Sequence, residues 1–236
     1  MRLAGELLRD VMQQVVAAVE VGISTADLDR IARSLIEKAH AVPAFLGYHG
    51  FPATLCTSIN DQVVHGIPSP ASRLRSGDIV SIDCGLVLEG YYSDMAITVP
   101  VGEVSPEAQR LLQVTRESLE QGICEMTADN RIGTVSAAIQ KHVEAAGFAV
   151  VREYTGHGIG RAMHEPPQVP NFGVADTGLR LKPGIVLAIE PMVNVGTWKT
   201  RTLDDEWTVV TADGSLSAHF EHTIAVTESG PVVLTA

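Results

Sequence analysis

Five side chains have the types and settings of metal ligands: Asp83, Asp94, His157, Glu190 and Glu221. Asp83 interrupts the apolar run Ile79-Val80-Ser81-Ile82-Asp83-Cys84, and Glu190 interrupts Ile185-Val186-Leu187-Ala188-Ile189-Glu190-Pro191. Glu221 lies in Ala218-His219-Phe220-Glu221-His222-Thr223-Ile224. A carboxylate in such a run is costly to bury unless it is paired, hydrogen-bonded or bound to metal. Asp83 and Asp94 are eleven residues apart, at similar distances from a turn near Leu88-Glu89-Gly90, so a hairpin there would bring them together. Four converging carboxylates repel one another, and two divalent cations would balance their charge. One imidazole with several oxygens suits Mn, Fe or Co, with Zn as an alternative and Mg less favoured by the imidazole. A metal-bridging water would become a hydroxide nucleophile at moderate pH, and an ion would polarise a carbonyl. The spacing equally fits unrelated solvent-facing acids, because spacing does not say which residues meet.

Other chemistry-bearing residues read either way. His157, in Thr155-Gly156-His157-Gly158-Ile159-Gly160, fits a structural histidine in a glycine turn, although His164-Glu165-Pro166 nearby favours a site. The glycines would let backbone approach closely. They make no phosphate loop, since neither GxGxxG nor GxxxxGK[ST] is present. His65, in Val64-His65-Gly66-Ile67-Pro68, is ambiguous alone, and His40, His49, His142, His219 and His222 read as packing, solvent-facing or supporting residues. Cys56 could be a nucleophile or a buried pocket wall, and Trp207 could line a pocket or simply pack. Ser81 and Ser93 lack a G-x-S-x-G setting, and HExxH is absent.

The elements that must position these residues are legible in outline. Leu3, Leu7, Val11 and Val15 recur four apart and predict a helix over 3–20. Ser24, three before Asp27, opens a second helix to about Lys38. Residues 41–68 read as short strands and ordered loops, 79–84 and 91–99 as a paired hairpin. Ser105-Pro106-Glu107 starts a helix that runs to about Glu120, before Gly122, and another covers 131–146. Short strands follow near 148–155, 184–193, 206–211 and 218–227. Helix, helix, strands thus occurs twice, without a repeat in the letters.

Composition bounds the remaining choices. Hydrophobic residues are 45% of the 236, enough for a sizeable core, which excludes wholesale disorder. Seventeen Lys and Arg against 28 Asp and Glu give a net charge of −11, a poor match to a general nucleic-acid binder. Cys56, Cys84 and Cys124 are far apart with no CxxC, which argues against a disulfide framework and fits a reducing compartment. No apolar run reaches the roughly 20 residues of a membrane span. The first twenty residues contain Glu6, Asp10 and Glu20 and lack a signal-peptide apolar region.

In combination the motifs resemble type I methionine aminopeptidase. They are Tyr48-His49-Gly50-Phe51-Pro52, Cys56-Thr57-Ser58-Ile59-Asn60, His65-Gly66-Ile67-Pro68, Gly156-His157-Gly158-Ile159-Gly160 and His164-Glu165-Pro166-Pro167. Glu190-Pro191-Met192, Glu206-Trp207-Thr208-Val209-Val210-Thr211 and Phe220-Glu221-His222-Thr223 continue the match over essentially the whole chain. The resemblance implies an α+β pita-bread fold, a twisted antiparallel sheet with helices packed behind it. It implies a single catalytic domain, 1–236, with pseudo-symmetric halves of approximately 1–100 and 101–236.

The implied activity is metal-dependent removal of N-terminal methionine, preferring a small second residue, by attack of a metal-bridging water or hydroxide. Two divalent ions per chain are implied, Co, Mn or Fe(II), with Zn as a further candidate. Asp94 and Glu221 would bridge them, Asp83 would bind one, and His157 and Glu190 would complete the other. Glu190 would also transfer a proton. His65 and His164 match histidines that contact substrate and the tetrahedral intermediate. Tyr48, Cys56 and Trp207 match the methionine pocket, with Phe45 and Met163 contributing. Implied partners are the N-termini of newly made proteins, near the ribosome, for a cytoplasmic monomer with no direct nucleic-acid or membrane binding.

Tyr92-Ser93 before Asp94 and Cys84-Gly85 after Asp83 depart from common family letters without changing a ligand. No zinc-finger extension, large type II insertion or creatinase-like N-terminal domain is evident. A related X-Pro aminopeptidase would use the same five ligands, and a noncatalytic binding protein on this fold would be expected to lose some of them.

Overall fold

The computed structural model describes residues 1–236. Helices α1 (Arg2–Ala17) and α2 (Thr25–Lys38) precede strand β1 (Val42–Pro43) and a 3₁₀ turn, Tyr48–Gly50. Strands β2 (Leu55–Ile59), β3 (Gln62–Val64), β4 (Ile79–Leu88) and β5 (Tyr91–Pro100) follow. Helices α3 (Pro106–Cys124) and α4 (Ile132–Ala145) lead to β6 (Ala149–Val150), β7 (Thr155–Gly158), β8 (Glu165–Pro170), β9 (Val186–Ile189) and β10 (Met192–Asn194). The chain ends in β11 (Thr200–Thr202), β12 (Val209–Thr211), β13 (Ser217–His219), β14 (His222–Thr227) and β15 (Gly230–Val233). No helix is long and apolar enough to cross a membrane.

Local chemistry explains most boundaries. Ser24 and Asp27 form both bonds of a capping box at the start of α2, and Ser105 caps α3 with Pro106 in its first turn. Glu89 and Gly90, with φ of 52° and 78°, turn the β4–β5 hairpin. The first helix ends at Ala17 rather than near residue 20, and two further expectations differ. Helix α3 runs past Gly122, because that glycine is a packing contact and not a stop: a Cβ there would lie 2.9 Å from Ile139 Cδ1 of α4. The strands expected over 184–193 and 218–227 are each interrupted, at Glu190-Pro191 and Phe220-Glu221, where the chain passes between a five-stranded and a three-stranded sheet.

All ladders are antiparallel, and their register defines the site. Cys56 faces Asp83, Asp83 faces Ala96, and Ala96 forms an isolated bridge to Glu221. The pairs Ile189↔His222 and Met192↔His219 share one register, which sets Glu190 opposite Glu221. Cys56, Asp83, Ala96, Glu221 and Glu190 therefore form one row across five strand paths. Two residues along, Gly85 faces Asp94, Thr223 faces Ala188, and Ala188 faces His157. Because side chains alternate with a period of two, both rows project from the same face.

The opposite face carries the core. Ile82, Cys84 and Leu86 of β4 pack with Leu8, Met12 and Val15 of α1 and Leu28 and Ile36 of α2. Leu187 and Ile189 of β9 and Ile224 and Val226 of β14 pack with Leu111 and Leu119 of α3 and Val135 and Ile139 of α4. Between these clusters runs a seam of buried threonine hydroxyls. Thr223 Oγ1 accepts from Asp94 N (3.0 Å) and donates to Asp94 O (2.8 Å). Thr98 Oγ1 likewise accepts from His219 N and donates to His219 O, both at 2.8 Å. Thr223→Val keeps the shape but strands both backbone groups of Asp94. Urea unfolding should show a loss of about 1–3 kcal/mol, and unchanged stability would mean that the seam is not held by these hydroxyls.

Candidate metal centre and substrate cavity

The two rows open into a cavity of about 460 Å³. Asp83, Asp94, His157, Glu190 and Glu221 line it together with His65, His164, Phe45, Tyr48, Cys56, Met163 and Trp207. Every side chain singled out in the sequence as a candidate ligand, catalytic group or pocket wall is thus brought to one place. His49 and Phe51 also line it. Phe51 packs edge-on against Trp207 at 5.1 Å between centroids. His49 and Phe51 lie in Tyr48-His49-Gly50-Phe51-Pro52, where proximity to Tyr48 was the available signal.

At the polar end, ligand atoms of Asp94, His157 and Glu221 all lie within 4.8 Å of one another. His157 Nε2 is 3.8 Å from Asp94 Oδ2 and 3.5 Å from Glu190 Oε1. His157 is in strand β7 rather than a turn, and its flanking glycines serve close approach. A Cβ at Gly156 would meet Ala188 O at 2.4 Å, and one at Gly158 would meet Pro166 O at 2.4 Å.

Burial pushes the Asp83 carboxyl up to about 7. Burial, then the charge of Asp83 and of Glu190, raises Asp94 well above the usual carboxylate range. Burial, then neighbouring carboxylates, raises Glu190 and Glu221 in the same way. Burial lowers His157 and His65 to about 4, helped by His164, and lowers His219 to about 3. Asp83 Oδ1 and Glu221 Oε1 are buried with no hydrogen-bond partner. Crowded carboxylates with orphaned oxygens beside an imidazole are a donor set that fits a divalent cation of the Mn, Fe, Co or Zn type.

The other end is apolar. Phe45, Phe51, Cys56 and Met163 are buried in one cluster with Ala44 and Ala53, and Tyr48 and Trp207 pack against it. Burial drives the Cys56 thiol well up, which makes it a wall and a poor nucleophile. Asp205 holds the Trp207 loop by accepting from Trp207 N (3.0 Å), Thr208 N (2.8 Å) and Thr208 Oγ1 (2.6 Å). The loop bearing Met163 and His164 is pinned to the β4–β5 hairpin. Tyr92 N donates to Gly160 O at 2.9 Å, and Arg161 stacks 3.9 Å over the Tyr91 ring while donating to its hydroxyl. His164 stands between the two ends. Its Nδ1 is hydrogen-bonded to Tyr48 Oη at 2.8 Å, and its ring centroid is 4.3 Å from that of His157.

The model of metallopeptidase family M24 matches residues 1–228. A methionine aminopeptidase of Clostridium perfringens is 53% identical over 235 residues, spanning 100% of this chain and 94% of that protein. The chain belongs to the methionine aminopeptidases of family M24. The crystal structure of a methionine aminopeptidase from Thermotoga maritima superposes with a TM-score of 0.98 at 44% identity, covering 100% of this chain and 94% of that one. An X-Pro aminopeptidase from the same organism shares the fold, with a TM-score of 0.74 at 19% identity, and this chain covers 59% of it. The α+β architecture, with antiparallel sheets and helices behind them, is the pita-bread fold of these metallo-exopeptidases.

Without metal, the shifted groups set opposing pH dependences. A carboxyl raised on folding, as in Asp83, contributes stability that is full below its unfolded value and lost as pH rises through about 7. Imidazoles lowered on folding, as in His65, His157 and His219, contribute stability that is full above 6.5 and lost as pH falls through about 4 or 3. Above pH 6.5 only the carboxyl loss continues. The chelated chain should melt at a lower temperature at pH 8 than at pH 6.5, and Asp83→Asn should shrink that difference. Equal melting temperatures at the two pH values, in wild type with chelator, would contradict the carboxyl assignment.

Proposed function

We propose that Asp83, Asp94, His157, Glu190 and Glu221 hold two divalent ions, that His65, His164 and Glu190 serve the reaction, and that Phe45, Tyr48, Cys56, Met163 and Trp207 receive the methionine side chain. The chain's activity is the metal-dependent removal of N-terminal methionine. The observation that carries the assignment of roles is one cavity with a carboxylate-rich end and an apolar end. The apolar end suits a flexible thioether chain, and the acidic end suits the free α-ammonium group of a peptide.

Bound divalent ions supply Lewis acidity toward the scissile carbonyl and activate water at moderate pH. The protein supplies the rest. With the His164 proton on Nε2, Nδ1 accepts from the Tyr48 hydroxyl 2.8 Å away, and the Nε2–H donates to the carbonyl oxygen as negative charge develops. Glu190, beside His157, accepts the proton from the attacking water and returns it to the leaving amine. His65, held edge-on to Trp207 at 6.4 Å and to Tyr154 at 5.7 Å, contacts the substrate from the other wall. A small second residue is preferred, as steric exclusion beyond the methionine pocket would give. The substrates are newly made proteins in the cytoplasm, reached near the ribosome; the bacterial relatives, each named a methionine aminopeptidase, support peptide N-termini as what the site acts on. The whole chain acts as one catalytic unit of two pseudo-symmetric halves, a reading supported by the twin helix-backed cores and by ligands drawn from both.

Chelated protein reloaded with Mn(II), Co(II), Fe(II) or Zn(II) should release methionine from Met-Ala-Ser and not from its acetylated form. Faster cleavage of an X-Pro peptide, or no release with any of these ions, would overturn the reading. In the metal-replete enzyme, His164→Ala should lower kcat by about 10² or less while keeping its metal. Cys56→Ala should retain substantial turnover, and an acyl-enzyme on Cys56 would defeat its assignment as a wall.

A further inference from the structure

Behind the two glutamates lies a histidine that the reaction described above does not use. His219 occupies the third row of the same face, two residues before Glu221 and directly across from Met192. It is 2% exposed, and its Nε2 has no hydrogen-bond partner. That nitrogen lies 3.8 Å from Glu190 Oε2 and 3.9 Å from Glu221 Oε2. The other oxygen of Glu190, Oε1, faces His157 Nε2 at 3.5 Å. Glu190 thus stands between two imidazoles, one toward each of its oxygens.

The ring has little freedom to find another partner. His219 N and O are both tied to Thr98 Oγ1 at 2.8 Å, and the residue is fixed in the β10–β13 ladder. A buried ring nitrogen left unpaired is costly. The terminal torsion of a glutamate is broad, so a small rotation of either carboxylate brings an oxygen into hydrogen-bonding range. Groups that hydrogen-bond a ligating carboxylate fix its orientation and tune what it binds.

We propose that His219 is a positioning residue whose Nε2–H holds the Glu190 carboxylate by Oε2, sharing the contact with Glu221, so that Glu190 Oε1 is presented toward His157 and the metal. The inference rests on Glu190 and Glu221 being ligands. His219 itself touches neither the substrate nor the transferred proton.

The test is the affinity of the chelated full-length protein for Mn(II), measured by calorimetry, for wild type, His219→Leu and His219→Gln. Leucine fills similar space without a donor, and should weaken Mn(II) binding about 10–100-fold. Glutamine offers an N–H and should restore most of the affinity. With saturating Mn(II), His219→Leu should lower kcat for Met-Ala-Ser with little change in KM. A leucine variant that binds within twofold of wild type overturns the proposal, as does a glutamine variant no better than leucine. If leucine does not fold, nitrogen-detected NMR of wild type loaded with Zn(II) decides: a slowly exchanging proton on His219 Nε2 supports the proposal, and an unprotonated Nε2 overturns it. Wild type that binds no Mn(II) would instead defeat the metal-site reading itself, so the two failures are distinct.

Discussion

Bringing like charges together away from water is opposed twice, by lost hydration and by mutual repulsion. Asp83, Asp94, Glu190 and Glu221 meet both penalties in one cavity. Two unit charges about 4 Å apart repel by about 4 kcal/mol at an effective dielectric of 20, several times the roughly 1 kcal/mol returned by a hydrogen bond. No local bonding offsets that. The convergence is imposed by apolar burial on the other face of the same strands, where Ile82, Cys84 and Leu86 in one cluster and Leu187, Ile189, Ile224 and Val226 in the other are packed under helices. A one-residue slip in any of these strands would exchange core side chains for site side chains, so packing on one face fixes chemistry on the other.

Space for a cation is built from what stands between the acids. Ala96 separates Asp83 from Glu221 in their row, and Thr223 and Ala188 separate Asp94 from His157 in theirs. Gly85 faces Asp94, and a Cβ there would press on Phe45 Cε1 at 2.8 Å, so its lack of a side chain also keeps the apolar end open. Apart from the neighbouring Glu221 and Glu190, the ligating residues within each row are separated by small ones. The result is a polar floor that adjoins an aromatic pocket, with His164 at their junction.

Much of this was legible in the letters because it rests on local patterns. The hairpin around Glu89-Gly90 follows from turn chemistry and alternation, and it brings Asp83 and Asp94 onto one face as the spacing implied. The carboxylates in apolar runs flagged Asp83 and Glu190 for the same reason that they are costly to bury. What the letters did not carry was pairing at long range. The bridge from Ala96 to Glu221 and the hydroxyl contacts of Thr98 and Thr223 join segments more than a hundred residues apart, and nothing in either segment names the other. His219 could be read only as packing, solvent-facing or supporting for this reason: beside Glu221 it looks like any histidine in a strand, and only the register with Met192 and the turn of the chain at Glu190-Pro191 bring its ring to two carboxylates. The strand interruptions at Glu190 and Glu221 were also hidden, since apolar periodicity continues smoothly through a change of sheet.

The bridge between Ala96 and Glu221 has a consequence for the unfolded chain as well as for the folded one. Asp94 and Glu221 are separated along the polymer by about half its length, yet their ligand atoms come within 4.8 Å. An ion held by both is a reversible crosslink that closes a very long loop. The entropy denied to the denatured ensemble by such a closure grows with the logarithm of loop length. By that measure the same atoms that would serve hydrolysis also fasten the two halves of the polymer together, and the concentration of free metal becomes a thermodynamic variable of folding.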